Sequence, residues 1–233
     1  MLEPHIVKSF DGHLQKLHSL ILQMGDLVLG QIDASLTALQ DDDLAAVETA
    51  NGALSALSAL NHAVNEQVIR VLALRSPVAD DLLVVTTALK ISADLEQSGS
   101  YAAGNARRVA ELKDLPHLAV TSGIVAMGRL AQRQIRDVLE AYRCGDSQKA
   151  ATIWYEDWRL DEQYSGLFRQ TLTYMMEEPA TITPASHLLF IAKNIERIGD
   201  HGTNIAEMVY FLVTGTELEG DRRKGDTSIT ITE

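Results

Sequence analysis

Glu196 and Asp200 stand four residues apart in the segment AKNIERIGDHGTNIAE, residues 192–207. On an α-helix that spacing puts both carboxylates on one face, one turn apart. Like charges so placed repel by roughly a few tenths of a kcal/mol. The segment YEDWRLDEQY, residues 155–164, carries a second pair with the same spacing, Asp157 and Asp161. Where two such helices lie side by side, the four carboxylates converge. Unneutralised, a cluster of this kind would keep protons on some of its members. A divalent or trivalent cation removes the repulsion, and carboxylate oxygen suits hard or borderline metals. Asp157, Asp161, Glu196 and Asp200 are therefore the candidate metal ligands. Asn204 shares the face of Asp200 and could support it. His201 points about 100° away around the helix, which suits a polar or partner-facing role better than ligation. The plain alternative is a solvated acidic face screened by Lys193 or Arg197.

Other chemistries find no such footing. The Glu-x-x-His pairs of carboxylate-bridged di-iron bundles do not recur here. No defensible Ser-His-Asp order, glycine-rich phosphate loop or Cys-x-x-Cys motif is present. Cys144 is the sole cysteine and reads as an ordinary reduced thiol beside an expected helix end. The formal net charge of -12, from 20 basic and 32 acidic residues, argues against nucleic-acid binding. It suits cations or basic partner surfaces. The absence of a basic-then-apolar leader and of any long uncharged apolar run leads to the expectation of a soluble cytoplasmic protein with no membrane insertion.

The elements that must position these acids are helices. Aromatics make up 5% of the chain and prolines number five among 233 residues, which leaves room for long Ala- and Leu-rich segments. Apolar residues from Leu14 through Leu39 recur at threes and fours, as an amphipathic helix requires. The spacing predicts helices over about residues 5–39, 44–74, 78–112, 118–142, 147–176 and 185–213. Asp41 to Asp43 would cap the second helix, Pro77 would end it, and Gly215 would close the sixth. The polar stretch after Gly215 lacks helical periodicity and is expected to be disordered.

The third and sixth helices match each other at a constant offset of 100, pairing Ile91 with Ile191, Glu96 with Glu196, Gly99 with Gly199 and Ala106 with Ala206. The first and fourth match as LQMGDLVLGQI and VAMGRLAQRQI, with Met24 against Met127. The chain thus reads as all-α, two tandem three-helix bundles of up-down helices: residues 1–113, residues 114–215, and a polar tail over 216–233. Gly99 and Gly199 fall in mid-helix, where glycine costs about 1 kcal/mol against alanine. That cost points to close approach by the backbone of a neighbour.

The duplicated pattern, the opening FDGHLQKLHSLILQMG, the stretch RSPVADDLLVV and above all NIERIGDHGTNIAE resemble the PhoU family of phosphate-transport regulators. The resemblance covers the chain to about Gly215. It implies two three-helix bundles in one non-enzymatic, cytoplasmic regulator that restrains phosphate uptake and phosphate-starvation signalling. The partners it implies are the ATPase subunit of the phosphate ABC transporter and a membrane sensor histidine kinase. A homodimer is also expected, since elongated helical repeats often expose an apolar stripe. The family's acid pairs can carry iron or zinc, and carried over here they fall on Asp157, Asp161, Glu196 and Asp200. The alternative class is a metal-dependent enzyme or metal-storage bundle using the same carboxylates.

The first repeat departs from that pattern. It reads EQSGS where the second reads ERIGD, keeping Glu96 and Gly99 but placing Ser100 where the acid stands. The corresponding helix-two positions fall near Leu54 and Ser58, neither of them acidic. Gly104 stands where the second repeat has Asn204, and Leu83 where the family has arginine. The expectation is that iron or zinc, if bound, is bound by the second repeat alone.

Overall fold

Helix-forming residues with an apolar position every three or four fold as helices almost throughout. The computed structural model describes residues 4–75 and 79–219, with side chains over 12–73 and 81–219. Among the described residues there are seven α-helices and no strand: α1 (Pro4–Asp41), α2 (Leu44–Arg75), α3 (Ala79–Leu112), α4 (Val120–Cys144), α5 (Ser147–Glu156), α6 (Trp158–Glu177) and α7 (Ile182–Thr214). A single 3₁₀ turn over Pro179–Thr181 leads into α7. The proposed break at Pro77 and the tail from residue 220 onward lie outside the described residues.

Helix ends follow their local chemistry. Asp42 adopts a left-handed φ of 54°, which a short polar side chain tolerates. Asp43 then accepts hydrogen bonds from the backbone N–H groups of Ala45 (2.8 Å) and Ala46 (3.3 Å), capping α2. Gly145 closes α4 at φ 64°, and Asp146 caps α5 by accepting from Lys149 N at 2.9 Å. Helix α7 begins earlier than the periodicity predicts and runs through Pro184. A proline there costs no intrahelical bond, because first-turn N–H groups have no partner within the helix.

Two units result, three helices in the first and four in the second, where α5 and α6 together stand in for one predicted helix, and their buried apolar residues form one continuous core. In the first, α1, α2 and α3 pack mutually; in the second, α4 and α7 pack against each other and against α5 and α6. The units join along two seams, α1 with α4 and α3 with α7. The side chains at the centre include Ile21, Met24, Ile91, Ile124, Met127 and Ile198, all fully buried. Across the α1–α4 seam the contact is reciprocal: a Cβ at Gly25 would strike the side chain of Leu139, and one at Gly128 would strike Leu36. All four residues obey the 103-residue offset of the matched helices. At the α3–α7 seam Tyr101 and His201, offset by 100, stack with ring centres 5.8 Å apart.

The mid-helix glycines are approached closely, but by side chains and not by a neighbour's backbone as expected. A Cβ at Gly99 would overlap Leu57 and Gln31, and one at Gly199 would overlap Leu160. Another expectation needs correction. The fifth predicted helix, 147–176, is not continuous but splits at Asp157 into α5 and α6. Asp157 keeps helical dihedrals (φ -50°, ψ -41°), yet its carbonyl accepts from Leu160 N at 3.1 Å in a tighter, 3₁₀-like turn. No helix among the described residues is long and apolar enough to cross a membrane.

Candidate functional site: the carboxylate seam between α6 and α7

The break at Asp157 decides where its carboxylate goes. Asp157 is 4% exposed, and Thr203 of α7 donates its hydroxyl to Asp157 Oδ1 at 2.6 Å. The hydroxyl has one proton, and the short charge-assisted bond takes it in preference to Gly199 O at 3.2 Å. Gln134 of α4 donates from Nε2 to Thr203 Oγ1 at 2.8 Å and toward Gly199 O at 3.2 Å. A buried carboxylate is thereby held by an acid–hydroxyl–amide relay across three helices. Neither Thr203 nor Gln134 was singled out in the sequence. The spacing of Thr203, three beyond Asp200 and four beyond Gly199, was the signal available.

Asp161 lies one helical turn further along α6, beside the acid pair of α7. Glu196 is largely sheltered, its side chain 13% exposed. Burial raises its carboxyl above the usual range, Lys193 opposes the rise, and the negative charges of Asp200 and Asp161 add to it. Asp161, Glu196 and Asp200 therefore share one electrostatic neighbourhood, with Asp157 next to it on the same seam. Lys193 Nζ straddles Glu196, donating to Oε1 at 2.7 Å and lying 2.6 Å from Oε2. The Oε2 contact is an ion pair without hydrogen-bonding geometry, so Oε2 is buried with no hydrogen bond. Tyr164, also on α6, covers the site. Its hydroxyl is pushed upward first by burial and then by Glu196, and Lys193 Nζ sits 5.1 Å from its ring centre.

The donor chemistry fits a hard or borderline cation: carboxylate oxygens, mutual repulsion and a buried oxygen left without a hydrogen bond. As the side chains are placed, no three His, Cys, Asp or Glu residues among those described are grouped so as to hold a metal ion. Lys193 supplies positive charge to Glu196 in this arrangement.

The equivalent face of the first repeat is built differently. Glu96 accepts from Asn61 Nδ2 at 2.5 Å, one turn beyond Ser58. Asp94 is met by His201 Nδ1 at 2.7 Å across the α3–α7 seam, so His201 reaches the other repeat rather than the carboxylates of its own.

These features define an internally duplicated, all-α helical-bundle protein with one acidic seam. The PhoU domain profile matches it twice, over residues 21–109 and 124–209. The phosphate-specific transport system accessory protein PhoU homolog of Xylella fastidiosa (strain Temecula1) is 43% identical over 224 residues, spanning 96% of this chain and 93% of that protein. The phosphate-specific transport system accessory protein PhoU of Escherichia coli (strain K12) is 32% identical over 216 residues, spanning 93% of this chain and 90% of that one. The crystal structure of PhoU from Pseudomonas aeruginosa superposes with a TM-score of 0.86 at 31% identity, covering 89% of this chain and 100% of that chain. The chain belongs to the PhoU family.

Proposed function

We propose that this protein is a cytoplasmic accessory regulator of phosphate transport. It restrains phosphate uptake and phosphate-starvation signalling by contacts with the ATPase subunit of a phosphate ABC transporter and with a sensor histidine kinase, and acts as a homodimer. The observation that carries this reading is full-length likeness: a relative bearing the accessory-protein name aligns over 96% of this chain, including both repeats. A non-enzymatic role suits the buried, hydrogen-bonded setting of Asp157. One of its carboxylate oxygens, Oδ1, accepts the Thr203 hydroxyl within the bundle.

In the same reading, Asp157, Asp161, Glu196 and Asp200 hold an iron or zinc ion on the second repeat. The ion would supply positive charge to the crowded carboxylates in place of Lys193 and tie α6 to α7. The measurement is a deletion in the native host, followed by phosphate uptake and phosphatase expression under phosphate-replete growth. Both are expected to rise, and unchanged values would overturn the regulator. Elemental analysis of purified protein addresses the alternative. A stoichiometric metal that turns over a phosphoester would favour a metal-dependent enzyme, and metal that only stabilises favours the regulator.

A further inference from the structure

The α3–α7 seam carries a second feature of opposite charge. An open cleft of about 450 Å³ lies between the two helices, lined along α3 by Ser100, Gly104, Arg107 and Arg108 and from α7 by His187 and Asn194. That volume falls in the range of small-molecule sites, about 300–1,000 Å³. The internal offset of 100 shows how the cleft acquired its charge. Where the second repeat has Asp200, Glu207 and Met208, the first has Ser100, Arg107 and Arg108. Two acids are gone and two guanidinium groups stand on the corresponding face.

Among the described residues, neither arginine pairs with a carboxylate. Arg129, Arg143 and Arg159 all pair with carboxylates. Arg107 instead donates to the amide oxygen of Asn51 at 2.9 Å, and Arg108 lies over the ring of Phe190 at 4.2 Å. Both are held in place by uncharged partners, which fixes their positions and leaves their charge available. Glu111 at the end of the cleft forms no ion pair with either among the described residues.

The donors converge above Gly104. The point a Cβ would occupy there lies 3.7 Å from Asn194 Nδ2 and 3.8 Å from Arg107 Nη2. The missing side chain leaves a floor flanked by a nitrogen from each helix; Asn194 Nδ2 gives one proton to Asn105 Oδ1 at 2.9 Å and has a second to donate. His187 borders the same cleft, and its Nδ1 is buried without a hydrogen-bond partner among the described residues. A planar carboxylate is satisfied by one arginine fork. Donors arriving from two helices and several directions match the oxygens of a tetrahedral anion.

We propose that the α3–α7 cleft binds a phosphate-class oxyanion, either inorganic phosphate or the phosphate of a small monoester, through Arg107, Arg108 and Asn194 over the floor at Gly104. This site is separate from the carboxylate seam and does not rest on the regulatory reading. The test is isothermal titration of the full chain with inorganic phosphate, glycerol phosphate and sulfate. Saturable binding of one of the two phosphates in preference to sulfate is expected. Tighter binding of inorganic phosphate identifies the free anion, and tighter binding of glycerol phosphate identifies a monoester. The double variant Arg107→Gln/Arg108→Gln is expected to weaken binding by about tenfold or more, since each guanidinium supplies charge-assisted bonds. Gly104→Asp fills the floor with a carboxylate and is expected to abolish binding while circular dichroism stays helical. Gly166→Ala, outside the cleft lining, is expected to leave binding unchanged. No saturable binding of either phosphate, no preference over sulfate, or equal binding by the arginine variant and the wild type would overturn the proposal.

Discussion

His201 Nδ1 lies 2.7 Å from Asp94 Oδ1, joining the last helix of the second repeat to the last helix of the first. The pair is mostly shielded, with side chains 20% and 18% exposed, and Tyr101 stacks on the imidazole. Asp94→Ala removes the bond and leaves the ring nitrogen partly buried. A loss of about 1 kcal/mol follows for one hydrogen bond, which for a chain of this size lowers Tm by about 2–4 °C. Thermal melts followed by circular dichroism check it; an unchanged Tm would show that the contact is not made in solution.

Thr203→Val keeps the shape of the side chain and deletes the hydroxyl that serves Asp157 and receives Gln134. The buried carboxylate then loses the Thr203 donor, at a cost of about 1–3 kcal/mol. Adding Asp157→Asn to Thr203→Val is expected to recover part of the loss, because an uncharged amide tolerates burial better. Denaturant titration of the two variants measures both effects.

Gly199→Ala gains about 1 kcal/mol of helix propensity. It also drives a Cβ into the side chain of Leu160, which is 2% exposed. Overpacking of this kind costs about 1–3 kcal/mol, so the net effect is destabilising. Gly166→Ala on α6 meets nothing within 4 Å and is expected to stabilise. Opposite signs at the two positions are the measurable outcome.

Asp33 on α1 is paired with Arg129 on α4, and Gln132 donates to it at 3.3 Å. The Arg129 hydrogen bond holds the Asp33 carboxyl below its usual value. A carboxyl lowered in the folded state adds stability above its unfolded value, near pH 3.9, and loses it as pH falls through the lowered value. Asp33→Asn should therefore be the less stable protein at neutral pH, with the gap closing in acid. The gap is small and shrinks with salt, because the pair is solvated.

Glu196 carries the opposite sign. Its carboxyl is raised, first by burial, so the folded chain holds that proton to higher pH than the unfolded chain does. Stability is lost as pH rises through the raised value. Without metal, Glu196→Gln is expected to melt higher than wild type at neutral pH, the advantage fading in acid. With zinc or ferrous ion added, the wild type is expected to gain and the variant not. A metal at one hundred times its dissociation constant contributes about 2.7 kcal/mol, enough to reverse the order in a thermal-shift assay.

Much of this was legible in the residues. The offset of 100 between NIERIGD and its first-repeat counterpart located two helices that pack on each other, and the cost of Gly99 and Gly199 marked crowded positions, although the crowding comes from side chains and not from a neighbouring backbone. The break at Asp157 was not legible. WYEDWRLDE contains neither glycine nor proline, and a one-residue tightening leaves periodicity almost intact. Thr203 and Gln134 escaped because their roles depend on helices more than forty residues apart meeting at one place. The Arg107–Asn194 cleft belongs to a seam between repeats, and register within either repeat carries no information about it.

The reciprocal lock of Gly25 with Leu139 and Gly128 with Leu36 has the form of an isologous interface, in which a patch meets its own equivalent about a two-fold axis. In a dimer of separate copies, every substitution strikes both faces at once. Fusing the copies into one chain lifts that constraint. One half can keep its acids at Glu196 and Asp200 while the other exchanges the equivalent of Asp200 for Ser100 and gains Arg107. The lock thus lets a symmetric architecture carry two surfaces of contrary charge.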